Sequence, residues 1–100
     1  MGVPHKCTGA KTGSFLVTGA QIFQGILVMG DSTNALKVEA WDSSDAASTN
    51  DKSLGAVDLG ASHAVGARSQ GVIFVPHGLS IEKGIWIELT GTGTFWCYYD

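Results

Sequence analysis

The chain has 100 residues, 44% hydrophobic and 15% charged, with 14 glycines against 2 prolines. That size suits one domain with a single modest core, and the apolar share excludes disorder of the charge-rich kind. A formal charge of −3 at pH 7 offers no basic footprint for nucleic acid phosphates or an anionic membrane surface, so neither is expected as a partner.

Residues 1–13, MGVPHKCTGAKTG, mix Gly, Pro, Lys and Thr without periodicity. They predict an irregular N-terminal arm ahead of a domain over residues 14–100. The arm lacks the apolar core of a secretory signal, and Lys6 stands where a myristoylation motif needs Ser or Thr. SFLVTGAQIFQGILVMGD follows, rich in β-branched and aromatic residues and broken at Gly19 and Gly25, which suits two strands or one bulged strand. Its apolar run is interrupted by glutamines and falls short of the ~20 residues that a membrane span requires.

After a DSTN turn, ALKVEAWDS alternates cleanly, with Leu36, Val38 and Ala40 on one face and Lys37, Glu39 and Trp41 on the other. DSSDAASTNDKS is dense in turn formers and predicts a long surface loop. LGAVDLGA and HAVGARS read as weak strands, GVIFVPHG as a stronger one stopped by Pro76, and LSIEKG as a short strand and turn. GIWIELT and TFWCYYD flank Gly91-Thr92-Gly93, which predicts a direct hairpin. In that pairing Trp86, Glu88, Trp96 and Tyr98 share one face, while Ile85, Ile87, Leu89, Phe95, Cys97 and Tyr99 line the other. No segment carries a helical period, and turn signals recur at the spacing of a sandwich. The expected fold is therefore an all-β, antiparallel β-sandwich of about eight strands.

No residue set announces a reaction. TGAKTGS has Ala10 where a phosphate loop needs Gly before Lys, and GTGTF lacks the third glycine of a dinucleotide site. There is no G-x-S-x-G elbow. His5 and Cys7 form an H-x-C pair remote from His63 and His77, without zinc spacing. Asp42, Asp45 and Asp51 lack the order of a calcium loop. No catalytic residue, metal or cofactor is expected, and the chain is read as a non-enzyme. Cys7 and Cys97 leave two readings open: a disulfide tying the arm to the last strand, or two free thiols with Cys97 as a small core residue.

Trp86, Trp96 and Tyr98 admit three roles. A loop or the arm covers them, they form a protein–protein surface, or they stack on sugar rings. The order of features bears on the choice: an arm, QIFQGILVMGD, a charged alternating strand ending Trp41-Asp42-Ser43-Ser44, then a late segment from Gly78 to Thr94 leading into an aromatic strand. Over most of residues 15–99 this resembles the small β-sandwich structural proteins of tailed bacteriophages, including jelly-roll-like capsid decoration (cement) proteins. The resemblance implies a virion protein on the capsid surface, made in the host cytoplasm. Its partners would be the major capsid protein and itself, as a homo-oligomer with a trimer favoured, and it brings no catalytic residues. The interface candidates are Trp41, Trp86, Trp96 and Tyr98, with His5, Lys6 and Lys11 in the arm. A carbohydrate-binding module or a tail or fibre tip domain is the alternative.

Overall fold

The structure, a computed structural model, describes residues 6–30, 34–45, 52–59 and 70–100. Among these, eight strands form two four-stranded antiparallel sheets, and no residue is helical. They are β1 (Lys6–Cys7), β2 (Phe15–Val17), β3 (Ile22–Gly30), β4 (Leu36–Asp42), β5 (Lys52–Asp58), β6 (Gln70–Ser80), β7 (Ile85–Gly91) and β8 (Gly93–Tyr99). Sheet A has the order β1-β8-β3-β6 and sheet B the order β2-β7-β4-β5. β1 pairs with β8, β2 with β7, β3 with β6 and β4 with β5, so successive pairs alternate between the sheets.

The alternation of apolar residues explains why the sheets stack. Phe23, Ile26 and Val28 of β3 and Phe95 and Cys97 of β8 point inward from sheet A. Leu36, Val38 and Ala40 of β4 and Ile85 and Ile87 of β7 meet them from sheet B, in one buried cluster. Each large side chain removed from water in this way contributes roughly 1.5–3 kcal/mol. The expected faces of β4 are the observed ones: Lys37 is exposed and Glu39 and Trp41 are half-buried on the far side.

Three expectations are corrected. First, β7 and β8 do not form a hairpin: β7 lies between β2 and β4, and β8 between β1 and β3. Residues 91–93 instead form a corner from one sheet to the other. Gly91 has φ +105°, a Cβ on it would drive into the Ala35 carbonyl oxygen, and the Thr92 amide donates to that same oxygen at 3.2 Å. Both strands have a strong apolar face, and facing each other across the core buries both faces, whereas side by side they would need another layer. Second, Pro76 does not end its strand, since β6 runs on to Ser80. β6 is a sheet edge, and residues 75–78 oppose the single residue Gln24 of β3 in a break of register. A proline there sacrifices no ladder hydrogen bond. Third, Leu79 and Ser80 complete β6 and form no separate strand. HAVGARS, residues 46–51 of the acidic loop, and His5 lie outside the described residues.

The segment from Phe15 to Gly30 is both two strands and a bulge. Phe23 and Ile26 are each fully buried, so the two residues between them exceed what strict alternation allows. The register shifts at this point against both β6 and β8, as a β-bulge requires. Gly25, at φ +148°, makes room, because a Cβ on it would collide with the Ile73 carbonyl oxygen. The described part of the arm is hydrogen-bonded along β8: Thr8 donates its amide to the Cys97 carbonyl at 3.0 Å, and Lys11 and Phe95 exchange two bonds at 2.9 Å.

Candidate functional site

The corner at residues 91–93 separates the aromatic residues that the hairpin reading had placed together. Trp96 and Tyr98 emerge on the outer face of sheet A, Trp41 and Trp86 on the outer face of sheet B, with the core between them. Trp41 sits directly opposite Trp86, and Leu16 flanks Trp86 on its other side. Both indole Nε1 atoms are shut off from solvent without an acceptor. The next row places Glu39 opposite Glu88, a repulsive juxtaposition. It is relieved by Ser53 Oγ, which donates to Glu39 Oε2 at 2.7 Å, and by Lys37 Nζ at 3.7 Å from Glu39 Oε1. Sheet B therefore presents a charged outer face crossed by one tryptophan pair.

The outer face of sheet A differs in chemistry. Its residues fall into three rows across the strands: Phe74, Gly25, Tyr98 and Cys7; then Val72, Leu27 and Trp96; then Gln70, Met29 and Thr94. No residue in these rows carries a formal charge. Val72 and Phe74 are 65% and 60% exposed, far more than apolar side chains of this size usually are. Neither stood out in the sequence, although they alternate with Ile73 and Val75, which pack on the core.

Two depressions mark this face. The smaller, about 210 Å³, opens where Gly25 supplies no side chain, between Gln24, Val72, Phe74 and Tyr98. Gln24 is only 5% exposed, and its Oε1 has no hydrogen-bond partner. A buried, unpaired amide oxygen costs about 1–3 kcal/mol, so its position beside exposed apolar residues marks a place where a binding group could supply the donor. The sequence signal was present in FQGI, where two residues separate two core positions. The Tyr98 hydroxyl is pushed above its ordinary range, first by desolvation and then by the adjacent Cys7 thiol. The larger depression, about 470 Å³, lies at the 91–93 corner and is lined by Thr12, Met29, Thr92, Thr94 and Trp96, with glycines between them.

The other candidates are dispersed. Lys6 belongs to the exposed β1, and Lys11 places its Nζ 4.1 Å from the centre of the Phe15 ring. Both cysteines are free, with Cys7 exposed and Cys97 buried. Burial pushes the Cys97 thiol from 9.0 up to about 12, with Cys7 adding a smaller contribution. Asp42, grouped in the sequence with the acidic loop, ends β4 and is 5% exposed. Its carboxylate accepts the Lys83 amide at 2.9 Å and the Glu82 amide at 3.2 Å to each oxygen, fastening the β6–β7 turn. Among the described residues, no three of His, Cys, Asp and Glu converge as metal ligands.

No protein-family model matches the chain, and no curated protein or solved structure matches it either.

Proposed function

We propose that this chain is a non-enzymatic virion structural protein, of the capsid decoration type, which associates with copies of itself through the outer face of sheet A. The observation that carries the reading is that face: apolar, free of formal charge and built on a rigid sheet. An uncharged face stacks on a copy of itself without like-charge repulsion, whereas the Glu39 and Glu88 face of sheet B would repel its own copy. Burying Phe74 and Val72 in such a contact turns exposed apolar area into association energy at about 25 cal/mol per Å².

The proposal includes a jelly-roll topology. Its support is the nesting of pairs, first with eighth, second with seventh, third with sixth and fourth with fifth, laid alternately in two sheets. A long antiparallel ribbon rolled around its own axis produces this order, and the architecture recurs in viral capsid proteins and lectins. The resemblance to phage decoration proteins favours a trimer and a capsid lattice as the partner, with the arm and its Lys6 and Lys11 reaching the shell.

Attachment is tested by co-sedimentation. Shells of a major capsid protein encoded beside this chain are expected to carry the intact protein into the pellet, and a variant lacking residues 1–13 is expected to stay in the supernatant. An intact protein that remains soluble beside such shells would remove the capsid as partner.

A further inference from the structure

The larger groove carries chemistry that self-association does not explain. It occupies about 470 Å³ at the corner between the sheets, within the range of small-ligand clefts. Among the described residues, none that lines the groove carries a formal charge, which disfavours phosphate, carboxylate and ammonium ligands, since each needs a counter-charge in a partly desolvated site. What it does present is one large aromatic surface, Trp96, and three hydroxyls, on Thr12, Thr92 and Thr94. None of these hydroxyls makes a hydrogen bond within the described structure, so each is available as both donor and acceptor. The glycines of the lining leave backbone within reach of a bound molecule. Gly91 and Gly93 are fixed by packing, because a Cβ on either would collide with neighbouring backbone or with Leu36. The groove is therefore held open by the same corner that joins the sheets.

We propose that this groove binds a neutral saccharide, with a ring face against Trp96 and its hydroxyls bonded to Thr12, Thr92 and Thr94. A sugar ring has an apolar C–H face and an equatorial fringe of hydroxyls, and the lining offers a complement to each. A purely apolar ligand would leave the three threonine hydroxyls unmatched, and an ionic one would find no partner for its charge. The groove shares Met29, Thr94 and Trp96 with the apolar rows, so sugar and self-association through those rows compete for Trp96, while Thr12, Thr92 and the corner glycines lie outside them.

The test is a titration of the intact protein with neutral gluco-, galacto-, manno- and N-acetylglucosamine oligosaccharides, with a sulfated polysaccharide as the charged comparison. Amide and indole NMR shifts report both binding and location. At millimolar concentration at least one neutral sugar is expected to move the Thr92, Thr94 and Trp96 signals while leaving Trp41 and Trp86 in place. Trp96→Ala is expected to weaken that sugar about tenfold or more, and Thr94→Val, which keeps shape and removes the hydroxyl, several-fold. Phe74→Asp, aimed at self-association and outside the groove lining, should retain or strengthen sugar binding, so loss of assembly and loss of sugar binding are read separately. The proposal is overturned if no neutral sugar moves the groove signals, if the sulfated polysaccharide alone does so, or if affinity survives Thr94→Val undiminished.

Discussion

Gly91→Ala is expected to destabilise the protein by about 4 kcal/mol, combining the cost of a disfavoured positive φ with that of overpacking. The new methyl would meet the Ala35 carbonyl, which already accepts the Thr92 amide at the start of the neighbouring β4. Relief by a small shift is blocked, because Gly93 is pressed against Met29, Gly30 and Leu36 on the other side of the corner. For a domain held by roughly 5–15 kcal/mol in total, this is a large fraction. Gly13→Ala is the control: it has open space and no positive φ, and should change stability by less than about 0.5 kcal/mol. Urea unfolding midpoints of the two variants decide the point. Equal midpoints would mean that β7 and β8 are joined by a slack loop.

Asp42→Ala is expected to cost about 2 kcal/mol, because it removes a buried, charged acceptor from two part-buried hydrogen bonds to backbone amides of the turn. The carboxylate bridges the end of β4 to the turn at Glu82 and Lys83, some forty positions later in the chain. Asp42→Asn should fall between wild type and alanine, since one oxygen is retained while the amide group opposes an N–H donor. Thermal or chemical unfolding of both variants supplies the measurement. A neutral Asp42→Ala would mean that water or another group satisfies these amides.

How far the sequence was legible follows from the range of the interactions involved. Face assignment in β4 was readable because Leu36, Val38 and Ala40 alternate with Lys37, Glu39 and Trp41 within one strand, and period-two patterning is local. Pairing is not local. Gly91-Thr92-Gly93 satisfies the conformational needs of a hairpin loop and those of a corner equally well. Only the inward faces of β3 and β4, distant in sequence, decide that β7 and β8 part there. That single choice moved Trp86 to one surface and Trp96 with Tyr98 to the other. Pro76 was misread for a related reason, since a proline halts a central strand but not an edge strand beside a bulge. Asp42 looked like one solvated acid among several, and its backbone partners come from a turn remote in sequence. The exposed Phe74 and Val72 were hidden by their own chemistry, because in sequence an apolar residue in a strand reads as core.

The surface of sheet A thus bears the functional account, and its most direct test is sedimentation velocity of the wild-type protein over a wide concentration range, beside Phe74→Asp and Trp86→Ala. The account predicts that the wild type and Trp86→Ala associate alike into a defined oligomer, while Phe74→Asp, with a charge at the β6 edge of the apolar rows, sediments as a folded monomer. A wild type that is monomeric throughout, or an oligomer abolished by Trp86→Ala and indifferent to Phe74→Asp, would contradict it.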